Sequence, residues 1–306
     1  MRRLLTALLI AVSAAGCASV SKTANKGAAT LGEALLPTSE EVKLGNQLAA
    51  EVTQDEKVLN NPAVQSYVNK VGQRLVASTG NDRRSGINYT FTVIDDPRQV
   101  NAFALPGGHI YVYSGLLQAA DSEAELAGVL GHEIGHVTER HAAAALGAQF
   151  GLQTVTQLAL GQNPGMLSQL AAGIAQQGYM SKHSRDAERQ ADQAGLRYMM
   201  AAGYDPNAMP TFFRKLERLG GSNPNALQAF FASHPAPGER AKTLSKEIAA
   251  KRATGREEII GGFSQMKAQL ASGAGSSSGT TTTPRPSGST PSGSTSGGTQ
   301  TAPRPK

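Results

Sequence analysis

Apolar positions along the chain follow two periods. Leu44, Leu48 and Val52 recur at helical spacing behind Ser39-Glu40-Glu41, a triplet that opens a helix. A second helix is expected from Pro62, with Val64, Tyr67, Val68, Val71 and Leu75 on one stripe. Gly80 and the polar run to Gly86 stop it. The pattern then changes to alternation. Residues 89–95 (YTFTVID) read as a strand, and Asn101–Leu105 and His109–Tyr113 as two more, joined through Pro106-Gly107-Gly108. After Asp121 the helical period returns and stays. Segments 121–146, about 147–160, 166–178, 184–202, 207–220 and 237–251 read as helices, with loops at 161–165, 203–206 and 220–224. Strands first and helices afterwards predict a mainly helical α+β domain with a small sheet.

The two ends carry neither pattern. Residues 1–16 read as a secretory signal, with Arg2-Arg3 before the short apolar run Leu4–Val12. Ala14-Ala15-Gly16 precede Cys17, the one cysteine, and this resembles a bacterial lipoprotein signal in which the thiol receives lipid. Ala14 stands where that signal usually has Leu; the other reading is ordinary cleavage with Cys17 as a free thiol. Ala18 rather than Asp after the cysteine favours, by resemblance to Gram-negative sorting, the outer membrane facing the periplasm. Residues 17–37 are expected to be a linker and 38–270 the folded domain. Residues 271–306, rich in Gly, Ser, Thr and Pro, lack the apolar clusters that offset ordering entropy and read as a disordered tail.

Charge narrows the function classes. The net charge of +6 over 306 residues invites a nucleic-acid reading. The excess lies outside the domain, however, in Arg2, Arg3, Lys22, Lys26, Arg285, Arg304 and Lys306 set against Glu33. Residues 38–271 balance to zero, so nothing steers the domain toward phosphates and no nucleic-acid partner is expected. One cysteine excludes an intramolecular disulfide framework and any zinc site built from several cysteines.

His132-Glu133-Ile134-Gly135-His136 is the strongest chemical signal. On a helix, residues i and i+4 share a face, so both imidazoles can bind one ion, and Glu133 can reach a water activated there as general base. A chance pentad on a surface helix is the alternative. It is opposed by Leu126, Val129, Leu130 and Val137, which make this helix a buried one. Two histidines leave a catalytic zinc one ligand short. Glu188 and, four residues on, Asp192 supply a candidate third ligand and an acceptor for a ring N–H of a zinc-bound histidine. Arg185, Asp186 and Arg189 keep open the reading of Glu188 as part of a solvated charged face.

NAFALPGG, EAELAGVLGHEIGHVTERH, ERQAD and SHPAPGERAKTL, in that order, resemble the HtpX-type and CAAX-prenyl-protease-type zinc metallopeptidases, the soluble Oma-like and BepA/LoiP-like branch above all. The likeness spans about 40–250. It implies a zincin-type domain with a small sheet beside the active-site helix. It also implies one Zn2+ held by His132, His136 and Glu188, with Glu133 as base. His234 in the His-Pro segment is then implied at the active site, as oxyanion donor or resting zinc ligand, with Arg240 in support; a loop histidine facing water is the alternative. The integral-membrane helices and the tetratricopeptide array of some relatives are absent from this sequence.

Other residues are weighed on position. If a strand of the hairpin is a sheet edge, Asn101, Ala102, Phe103, His109 and Ile110 would pair with an extended substrate backbone; the alternative is a hairpin that only packs the core. His141, five beyond His136, projects 140° round a continuous helix from it, and Arg140 and His141 read as structural. His183 is assigned nothing. Segment 147–180 is either a lid or an ordinary helical pair. The expected function is a zinc endopeptidase acting on misfolded or stalled cell-envelope proteins, membrane-bound through an N-terminal lipid. A periplasmic chaperone-like binding protein with a latent zinc site is the second reading, and a non-peptidase zinc hydrolase the third. No oligomeric state is specified.

Overall fold

Every other residue of the central strand faces a different core. The computed structural model describes residues 36–177, 183–235 and 237–275. The signal, Cys17, most of the linker and nearly all of the tail lie outside the described residues. Strands β1 (Thr90–Ile94), β2 (Ala102–Ala104) and β3 (His109–Tyr113) form a sheet in the order β1-β3-β2. β2 and β3 are the expected antiparallel hairpin, with Phe103 opposite Tyr111. β1 runs parallel to β3, pairing Thr90 with His109 and Ile94 with Tyr113. Because side chains alternate across a strand, Ile110 and Val112 enter one core while Tyr111 and Tyr113 enter another. Phe103 stacks on Tyr111 in the second core, ring centres 4.9 Å apart.

This order corrects one expectation. β3 is bonded on both sides, so His109 and Ile110 have no free edge to offer a substrate. Ala102 and Phe103 lie on the edge strand, and the Asn101 carbonyl just before it accepts from the Tyr113 amide. The His109 ring is held between Thr90 Oγ1 (2.9 Å) and Asn46 Oδ1 (2.8 Å).

Helices α1 (Thr38–Asp55) and α2 (Pro62–Ala77) precede the sheet, and α3 (Ser114–Ala119) follows it. Asn61 caps α2 by accepting from the Val64 amide, with Pro62 in the first turn. α4 (Glu123–Thr138) opens with Ser122 accepting from Glu125 and is buried from Glu123 to Val137. α7 (Arg185–Ala202) and α8 (Ala208–Ser222) pack on it, and α10 (Pro237–Lys251) packs on both of these. α11 (Phe263–Gly275), absent from the expected elements, seats Phe263, Met266 and Leu270 in the main core, so the expected boundary at 270 falls inside a helix.

The helix expected over 121–146 is two. α4 ends at Thr138, and Arg140 adopts a left-handed conformation (φ 61°, ψ 29°) before α5 (His141–Ala159) begins. A non-glycine residue held there is uncommon. Here the Arg140 guanidinium is buried against Glu41 on α1 and also reaches the Leu36 carbonyl. α5 is interrupted at Gly151 (φ 74°). With α6 (Pro164–Gln177) it packs on α1, where Val155, Leu158, Ala171 and Ile174 meet Leu44, Leu48 and Val52. Of the two readings of 147–180, the described part is a core-packed helical pair. Among the described residues, no helix is long and apolar enough to cross a membrane.

Candidate metal centre

The α4–α7 contact sets the site. Gly131 and Gly135 on α4 and Gly195 on α7 let these backbones approach, while Gly128 on α4 admits Met209 of α8. A Cβ at Gly135 would stand 2.8 Å from the Ala191 carbonyl oxygen, and one at Gly131 3.2 Å from that of Gly195. α7 therefore lies directly along α4, and Glu188 and Asp192, one turn apart, face His132 and His136. Ser184 caps α7 by accepting from the Ala187 amide.

Four donors converge. His132 Nε2 lies 3.0 Å from His136 Nε2 and 3.3 Å from His234 Nδ1. Glu188 oxygens lie 3.2 Å from His234 Nδ1, 3.4 Å from His136 Nε2 and 3.7 Å from His132 Nε2. Ligands on a tetrahedron about 2.0–2.1 Å from its centre stand about 3.3–3.4 Å apart. The measured separations scatter around that edge length, so the donor set fits one small divalent cation. All four residues are buried, at 1–3% exposure, where unpaired lone pairs and charge would be costly. The donor chemistry, imidazole with one carboxylate, is that of zinc sites.

The outer contacts are equally defined. His132 Nδ1 lies 2.9 Å from Asp192 Oδ1, which orients the ring and leaves Nε2 toward the ligand set. Arg240, on α10, contacts both Asp192 oxygens at 2.6 and 2.8 Å and lies 2.5 Å from Glu188 Oε2, with its guanidinium over the Phe213 ring. Burial alone would raise the Glu188 carboxyl, yet His234 and Arg240 hold it well below its ordinary value. Asp192 is likewise pushed up by burial and held down, on balance, by Arg240. Both are carboxylates at neutral pH.

His234 sits between α9 (Gln228–Ser233) and α10, with Pro235 beyond it and its amide bonded to the Phe230 carbonyl. Its ring faces inward, so the solvated-loop alternative does not hold. Burial lowers its basicity, but Glu188 and Glu133 opposite raise it on balance. Glu133 Oε1 lies 3.6 Å from His234 Nε2. Burial pushes the Glu133 carboxyl above the usual range, partly offset by His234 and His132.

Two further histidines join the cluster. His141 Nδ1 lies 2.9 Å from His136 Nδ1, and the His183 ring overlaps that of His136 with centres 4.0 Å apart. Burial pushes the His183 ring down to about 3, and burial likewise lowers His136 well below its ordinary value, with His183 adding to it. The 140° projection for His141 assumed one continuous helix; the left-handed step at Arg140 removes that assumption. For His183 the only sequence signal was its place before the capping Ser184. The end of the β2–β3 hairpin reaches the same place: Ala104, Leu105 and Pro106 line a small cavity with His136 and His183.

Comparison with known proteins agrees with this geometry. The family described as Peptidase family M48 matches residues 62–248. The chain is 34% identical over 221 residues to the beta-barrel assembly-enhancing protease of Yersinia pestis, covering 68% of this chain and 43% of that protein. It is 34% identical over 196 residues to the mitochondrial metalloendopeptidase OMA1 of Arabidopsis thaliana, covering 63% and 38%. With the metalloprotease YcaL of Escherichia coli it shares 29% over 221 residues, covering 71% and 83%. The chain thus spans less than half the length of the Yersinia pestis and Arabidopsis thaliana relatives.

Proposed function

The chain belongs to peptidase family M48, and from that premise we propose that it is a zinc-dependent endopeptidase of the bacterial cell envelope. The observation that carries the reading is the convergence of His132, His136 and Glu188 on one point, with Glu133 beside it and Asp192 and Arg240 behind. The names of the relatives, both assembly-enhancing and mitochondrial metalloendopeptidases, support hydrolysis of polypeptides.

His132, His136 and Glu188 are the metal ligands in this reading. Zinc there would supply Lewis acidity, polarising a scissile carbonyl and lowering the pKa of water toward about 7. Glu133 accepts the proton of the attacking water and delivers it to the leaving amine, a task favoured by a carboxyl whose pKa is raised by burial. Arg240 holds the Glu188 and Asp192 carboxylates in place. Ala102 and Phe103 on the edge strand, with Asn101 at its start, are buried at rest, so aligning a substrate backbone by strand pairing there requires that edge to be uncovered first.

His234 Nδ1 stands within the donor set, and a catalytic site keeps one position open. His234 would therefore hold the ion as a fourth donor at rest and would have to yield that position to substrate. Misfolded or stalled envelope proteins are the proposed substrates. Export by the N-terminal signal and lipid attachment at Cys17 are supported by the sequence alone, and Ala18 favours the outer membrane, facing the periplasm. The closed donor set also favours a second reading, a chaperone-like binding protein with a latent site.

Digestion of casein by the zinc-loaded full chain, beside Glu133→Gln, separates the two. The wild type should cleave, and Glu133→Gln should keep its zinc and lose at least about 100-fold in rate. Equal turnover would exclude Glu133 as the base. A zinc-loaded wild type that suppresses aggregation without cleaving would establish the second reading.

A further inference from the structure

The two pentad histidines are supported differently on their outer nitrogens. His132 Nδ1 faces a carboxylate, Asp192, at 2.9 Å. His136 Nδ1 faces another imidazole, His141 Nδ1, at 2.9 Å, and His141 Nε2 in turn lies 2.9 Å from Gln190 Oε1. Only one assignment of protons satisfies this chain if His136 Nε2 points at a cation. His136 Nδ1–H donates to His141 Nδ1, so His141 carries its proton on Nε2 and donates it to Gln190 Oε1. His141 is 8% exposed, so water does not compete freely for the bond.

We propose that His141, oriented by Gln190, is the positioning residue for the zinc ligand His136. The proposal rests on the reading of His132, His136 and Glu188 as ligands. The left-handed step at Arg140 gives this placement its physical origin. It turns the start of α5 back so that the first residue of that helix meets His136 in the last turn of α4. Glu41, which holds the Arg140 guanidinium, thereby fixes the direction of His141. α7 then serves both histidines: Asp192 supports His132 directly and Gln190 supports His136 through His141. An imidazole acceptor carries no formal charge, so His136 gains orientation without the added basicity that a carboxylate confers on His132.

The test is zinc affinity of the full chain, measured by competition with a chromophoric chelator at pH 7 for the wild type, His141→Phe, His141→Asn and Gln190→Leu. The metal-free melting temperature and the visible spectrum after Co2+ substitution are recorded for each. His141→Phe should bind zinc about 10–100-fold more weakly and show an altered Co2+ spectrum. His141→Asn, whose Oδ1 can replace the Nδ1 acceptor, should restore both, and metal-free melting should not track these changes. Zinc binding by His141→Phe at the wild-type level would overturn the inference. So would equal loss in the Asn and Phe variants. If His141→Phe does not fold, Gln190→Leu decides, weakened zinc supporting the inference and unchanged zinc overturning it. A wild type that binds no zinc would instead sink the ligand assignment itself.

Discussion

Gly195 lies so close beneath His132 that a Cβ on it would stand 2.8 Å from the His132 amide nitrogen. The obstacle is backbone, not the tip of a flexible side chain, so the helices must part to admit a methyl group. Gly195→Ala should therefore destabilise the protein by about 1–3 kcal/mol and draw Glu188 away from the histidines. Calorimetric melting with and without zinc checks this: the variant should melt lower in both states and gain less from the metal.

Arg240 is the only cation placed against both Glu188 and Asp192 among the described residues. Replacing it with Met keeps much of the volume but leaves two buried carboxylates without their counter-charge, a loss of about 3–5 kcal/mol. A bound divalent cation offsets part of that charge. Urea unfolding should show the Arg240→Met deficit larger in chelator than in zinc; a deficit equal in both would contradict the clamp role.

Another buried carboxylate is structural. Glu123, at the start of α4, accepts from Tyr67 Oη (2.6 Å), Tyr204 Oη (2.7 Å) and the amides of Ile259, Ile260 and Gly261. Burial raises its pKa, but these donors lower it on balance below its ordinary value. A carboxyl depressed in the folded state stabilises above its unfolded pKa of about 4.3, and that contribution is lost as pH falls through the folded value. Glu123→Gln turns an N–H toward donors and should cost roughly 1–3 kcal/mol at pH 7. Unfolding followed from pH 7 down should show the gap to wild type closing below about pH 4.

How much of this was legible in the sequence follows from which relationships are local. His132, Glu133 and His136 share one helix, and Glu188 and Asp192 share another, so one period of 3.6 residues exposes both pairs. His141 escaped because a single left-handed residue resets the angular phase, and nothing in Arg140 announces that; its cause, Glu41, lies 99 positions earlier. His183 meets His136 only through tertiary packing. The hairpin was readable from its Pro-Gly-Gly turn, whereas the parallel pairing of β1 with β3 is non-local and made His109 and Ile110 central rather than edge residues. α11 was missed because Phe263, Met266 and Leu270 are spaced thinly among Ser, Gly and Gln.

The proposed anchor has its own test. Cys17→Ser, expressed in a Gram-negative host, should move the protein from the outer-membrane fraction to the soluble periplasmic fraction, because the acyl chains supply the membrane affinity. Continued sedimentation with membranes after a salt wash would argue against lipid attachment.

The central claim is that His132, His136 and Glu188 hold one zinc ion. Its most direct measurement is the metal content of the purified full chain after zinc loading and gel filtration, by mass spectrometry, for the wild type, Glu133→Gln and Glu188→Ala. The account predicts about one zinc per chain in the first two and a large loss in the third. A wild type that retains no zinc, or a Glu188→Ala variant that holds it as tightly as the wild type, would contradict it.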